Sequence, residues 1–149
     1  MLADPNSEVA AHAIQLAIAP VFLMTGIAAL LGVMANRLAR VIDRGRSYEQ
    51  SWSTLDERAR AAARAEIADL EQRRWWCSWS INLCTASALL VCLVIVVLFV
   101  QEFYAANLRA LAGGVFVAAL VALIGGLTCF LREVYLATHT ISIDLARFE

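Results

Sequence analysis

Three uncharged apolar runs divide the chain, and a charged segment separates the first from the second. Residues 14–35 carry no charge, nor do residues 75–101 or 110–131. A helix rises 1.5 Å per residue, so the 22 residues of the first run reach about 33 Å against a hydrocarbon core of about 30 Å. The pattern predicts three membrane-spanning helices, at about 14–36, 78–100 and 111–131. Pro20 falls inside the first span, where it removes one backbone donor. Gln15 and Thr25 are the strongly polar side chains of that span.

Between the first two spans the periodicity stays helical but the polarity changes. Arg37, Arg40 and Arg44 recur on one face, and Asp43 stands three residues after Arg40, close enough to pair with it. Ser47 to Ser53 reads as a turn, and Thr54 to Glu57 as a capping box that starts the next helix. That helix, from Leu55 to Arg74, carries a narrow stripe of Leu55, Ala59, Ala62, Ala63, Ile67 and Leu70. Residues 37–74 therefore predict an antiparallel helical hairpin continuing the first two spans. Trp75, Trp76 and Trp79 mark the membrane interface, where amphipathic rings settle. The tail, 132–149, fits either a helix or a strand around Ile141, Leu145 and Phe148; a helix continuing the third span is the preferred reading.

Charge sets the orientation. Nine of the twelve arginines lie in residues 37–74, and none precedes the first span. The positive-inside rule places the hairpin in the cytoplasm, the N-terminus outside and the C-terminus inside. Composition agrees with a lipid environment: the chain is 61% hydrophobic, against about 45–50% for soluble domains. A net charge of −1 argues against a nucleic-acid binder. The acidic residues before the first run, Asp4 and Glu8, do not resemble a secretory signal. Cys77, Cys84, Cys92 and Cys129 lack metal-ligand or disulfide-framework spacing and read as small buried thiols.

Three groups of residues are candidates for more than topology. Arg37, Arg40, Asp43 and Arg44, with Arg132 and Glu133 at the same depth, form either an anion or lipid-headgroup site or a structural ion-pair cluster. Ser78, Asn82, Thr85 and Cys92 fall roughly on one face of the second span, and Asn82 and Thr85 read as pore-facing or as interhelical hydrogen-bonding groups. Ala110, Gly114, Ala118, Ala122 and Gly126 form a small-residue row, a face for helix packing within or between subunits. No Asp, Glu, Arg or His lies near the centre of any span, which argues against proton-coupled transport. His12 and His139 fall on opposite sides of the membrane. No catalytic or metal motif is present. The expectation is no enzyme, no cofactor and no metal.

Four separated segments resemble a known family. They are Ile14 to Ile27 with its Ile-Ala-Pro-Val-Phe core, Asn36 to Arg44, Ser87 to Val94, and Phe130 to Val134. In that order they are similar to the bacterial membrane proteins called domain of unknown function 2721. The resemblance implies a small three-span inner-membrane protein and no activity. The fold class is all-α, a single membrane domain over 1–149. Its expected partners are the lipid bilayer, further copies of itself and other membrane proteins. The functional expectation is a homo-oligomer acting as a channel or pore, with an accessory or scaffolding subunit of a larger membrane complex as the alternative.

Overall fold

The computed structural model describes residues 5–53, 55–104 and 107–139, and over these the chain is all-helical. Helix α1 covers Pro5–Ser51, α2 Glu57–Tyr104 and α3 Arg109–His139. Each is long and apolar enough to cross a membrane, which makes this a multi-pass membrane protein. With 47 and 48 residues, α1 and α2 are each about 70 Å long, whereas α3, with 31, is about 46 Å. Over the described residues the first two helices therefore pack side by side as a pair longer than α3.

Element boundaries depart from the sequence pattern in three places. Ser47 to Ser51, expected in a turn, form the last turn of α1, where Ser51 Oγ donates to the Ser47 carbonyl at 2.9 Å. A hydroxyl satisfied within its own helix no longer favours a turn. The cap of α2 is Asp56, whose Oδ1 accepts from the Ala59 amide at 2.8 Å. A carboxylate there also complements the positive end of the helix dipole. Thr54, the expected cap, lies outside the described residues, as does the tail from residue 140. At the opposite end α2 continues through Gln101 to Tyr104, past the expected end of the second span near residue 100. Helix α1 runs unbroken through Pro20.

Helix α2 is the centre of the bundle and packs along both neighbours. Most buried positions repeat every seven residues, with Ala17 and Val97 outside the series. The series includes Ile27, Met34 and Val41 on α1; Leu70, Cys77, Cys84 and Val91, with Ser80, Ser87 and Val94, on α2; and Ala112, Ala119, Gly126 and Glu133 on α3. A repeat of seven is shorter than two full turns of a straight helix, so contact over this length requires left-handed coiling. The α2–α3 seam is built from small side chains. Ser80 Oγ donates to the Gly126 carbonyl at 2.8 Å and lies 3.2 Å from Met34 Sδ, while Ser87 Oγ donates to the Ala119 carbonyl at 2.7 Å. The two serines thereby join helices that lipid alone would not press together.

These bonds set a first expected result. Ser80→Ala and Ser87→Ala should each cost about 0.6 kcal/mol of unfolding free energy in mixed micelles. The sites lie about 10 Å apart along α2, so the double variant should cost about 1.2 kcal/mol. A double variant as stable as the parent would remove the serines from the account of the seam.

Candidate functional site

Each helix carries a charged side chain within two residues of its apolar run at the same end of the bundle. Arg37 follows the apolar run of α1, Arg73 precedes that of α2, and Glu133 follows that of α3. The seven-residue repeat fixes their depth: Glu133 continues the series 112, 119, 126, and Arg73 lies seven residues before Ser80. The register therefore brings one carboxylate and two guanidiniums together where the three apolar runs end.

Glu133 is completely buried, while the side chains of Arg37 and Arg73 are 30% and 25% exposed. Its Oε1 accepts from Arg73 Nη2 at 3.0 Å and from Arg73 Nε at 3.3 Å. Its Oε2 lies 2.9 Å from Arg37 Nε, yet this oxygen receives no directed hydrogen bond. The Arg37 contact is thus ionic attraction at close range, and Arg73 supplies the directional bonds. Aromatic rings lie at the same end of the bundle. Arg37 stands 5.5 Å over the Phe130 ring, and Arg132 stands 5.7 Å over Trp76. Trp75 packs edge-on to Trp76 at 4.7 Å and tilted to Trp79 at 5.8 Å.

Beyond the triad, Arg37, Arg40, Arg44 and Arg73 line a cleft of about 270 Å³ between α1 and α2, with Val41 and Leu70 completing the lining. Arg44 is held by Glu66, with Nη2 2.8 Å from Oε1, and Tyr48 Oη donates to the other oxygen of the same carboxylate. Both groups lie beyond the apolar spans. The Glu66 charge raises the Arg44 pKa, and the hydrogen bond to Glu66 raises that of the Tyr48 phenol. Among the described residues, Arg40 has no ion-pair partner; Asp43 is exposed and does not pair with it.

The family described as "Protein of unknown function (DUF2721)" matches residues 17–143. This chain belongs to that family. No curated protein and no solved structure matches it.

In this DUF2721 member the sequence candidates divide. Arg37 and Glu133 meet, Arg40 and Arg44 share the adjoining cleft, and Arg132 turns away to Trp76. Arg73, Glu66 and Tyr48 did not stand out in the sequence. The serine positions 80 and 87 carried the missing signal, because stepping back seven residues from Ser80 reaches Arg73. Asn82 and Thr85 are exposed on the outside of α2 and, among the described residues, bond to no neighbouring helix. Cys92 does not share their face: its Sγ lies 3.5 Å from Met24 Sδ on α1.

The small-residue row on α3 is not a single packing face. Gly114 and Ala118 are exposed, Ala122 is half-buried, and Gly126 is buried against α2. Residues four apart on a helix are offset by about 40°, so a row of five winds nearly halfway round the helix. The contact with α2 follows the sevenfold set instead. It therefore includes Gly126 and leaves Gly114 facing outward.

Proposed function

We propose that this protein is a homo-oligomeric bacterial inner-membrane protein that forms a pore, with the arginine-rich hairpin in the cytoplasm. Asn82 carries the reading. It lies six residues past Trp76, about 9 Å further along α2, on the face that α1 and α3 leave uncovered. Among the described residues it has no hydrogen-bond partner. A carboxamide facing hydrocarbon unpaired costs roughly 2–7 kcal/mol, and a second copy of the same face can supply the missing bond. Asn82 also falls in a heptad-spaced outward row with Trp75, Leu89 and Val96. A single asparagine in such a row favours one register and one copy number.

A ring closed on this face puts Asn82 and Thr85 around the axis at the hairpin end, and Leu89, Leu93 and Val96 further out. A polar vestibule leading to an apolar constriction is an arrangement that gates by dewetting. The concentration of arginine in the hairpin supports the cytoplasmic orientation.

Native mass spectrometry of the gently extracted protein should give several identical copies, and Asn82→Leu should shift it toward monomer. Monomer from the parent overturns the assembly. Closed rings that pass no ions in vesicles under any voltage overturn the pore. The competing reading, an accessory subunit, draws on the hairpin, which reaches about 20 Å past Arg37. It is less favoured because Ala63 and Leu70, on the stripe that would dock a partner, face α1. A single copy bound to other chains would establish it.

A further inference from the structure

The hairpin has two sides, and their charges differ. Val41 and Leu70 border a cavity on each side. On one side Arg46 and Arg74 stand with Glu49 and Glu71, two charges of each sign. On the other are Arg37, Arg40, Arg44 and Arg73, with no acid in the lining. Glu133 and Glu66 touch three of these four arginines from behind, and Arg40 is left without a carboxylate among the described residues. Positive-inside topology requires basic residues at this end of the spans, but it does not require them on one side of a hairpin.

We propose that this cleft is a binding site for the phosphodiester of an anionic phospholipid in the leaflet on the hairpin side. Depth is the first argument. The cleft begins at Arg37 and Arg73, where the apolar spans end, next to the Trp75–Trp76 pair that settles at headgroup level. Chemistry is the second. Guanidinium forks match phosphate oxygens in pairs, and basic pockets between membrane helices take anionic headgroups. The preset position of the arginines is the third. Glu133 holds Arg37 and Arg73, and Glu66 holds Arg44, so three cations are oriented before any ligand arrives. Arg40 is the cation free to complete the site. Val41 and Leu70 offer apolar surface to the glycerol end. A free phosphate ester presents the same oxygens, and the experiment separates the two sources. The site lies within one chain and does not depend on self-assembly or on a pore.

Delipidated full-length protein would be titrated in a neutral detergent with phosphatidylglycerol, phosphatidylcholine and inorganic phosphate, with bound lipid per chain read by native mass spectrometry. Phosphatidylglycerol should bind in preference to phosphatidylcholine. Arg40→Gln should weaken that binding about tenfold, the loss of one charged hydrogen bond. Arg40 holds no other group in place, so this variant should fold as the parent does. Arg46→Gln, on the balanced side, should leave binding unchanged. Displacement of the lipid by equal concentrations of inorganic phosphate would keep the phosphate site but assign it to a soluble ester. Equal binding of the two lipids, or an Arg40→Gln variant that binds like the parent, would overturn the site.

Discussion

Glu133→Ala should destabilise the folded protein in micelles by about 3 kcal/mol, more than any other single charge removal in the chain. Removing one partner of a buried ion pair costs about 3–5 kcal/mol, because the charge left behind has lost both water and counter-ion. Here the stranded groups are two arginines that are each about a quarter to a third exposed. Water can reach them, which places the expectation at the lower end of that range. Glu133→Gln keeps the volume and one acceptor but only neutral bonds, and should cost about half as much. The two arginines should not be equivalent. Arg73 gives Oε1 two N–H donors, whereas Arg37 approaches Oε2 without a directed bond. Arg73→Ala should therefore cost more than Arg37→Ala. The double arginine variant should exceed the sum of the singles, since it alone leaves a buried carboxylate with no cation. Reversible unfolding in mixed micelles reads all five variants. An Arg37→Ala loss equal to that of Arg73→Ala would show that the directed bonds make no difference, and a Glu133→Ala loss below about 0.5 kcal/mol would show that the triad does not hold the three helices together.

Gly126→Ala should cost about 2 kcal/mol, although alanine is the better helix former. A Cβ at position 126 would lie 2.6 Å from Cys84 Sγ and 3.2 Å from both the Cys84 amide nitrogen and the Ser80 carbonyl oxygen. The sulfur has little room to move, because Cys84 is buried in a cluster with Ile27, Met34, Val91 and Ala119. The helices must part instead, and parting stretches the 2.8 Å bond from Ser80 to the Gly126 carbonyl. Two controls isolate the cause. Gly114→Ala meets nothing within 4 Å and should cost nothing measurable. Cys84→Ala in the Gly126→Ala background should recover part of the loss, since it removes the sulfur but leaves both backbone contacts. A Gly126→Ala variant as stable as Gly114→Ala would mean that α2 and α3 lie further apart than the Ser80 bond requires.

The three long apolar helices were readable because their signal is one-dimensional. Apolar length distinguishes a membrane helix from a loop whatever it packs against. The ion cluster was readable in part. Arg37 and Glu133 sit at matching depths, and depth follows from counting residues. Arg73 was hidden because it is one of nine arginines in the charged segment. Its role depends on which face of α2 it occupies, and polarity alone does not distinguish the faces of a segment charged all round. The small-residue row does not trace the α2–α3 contact for a related reason. A step of four looks continuous in the sequence, but it rotates off any straight contact line.

By itself the sequence determined that this is an all-helical, three-span membrane protein of the DUF2721 family with its arginines gathered at one end. Those features follow from hydropathy, helical rise and charge distribution, which do not depend on neighbours. Only the tertiary structure decided that α2 is the central helix, that contacts advance by sevens, and that Glu133 is buried between Arg37 and Arg73. It also decided that Asn82 faces away from the other helices. In lipid, apolar side chains gain little by facing another helix, so hydrophobicity does not select the packed face. Close fit and hydrogen bonding select it, and both depend on what the neighbouring helix presents.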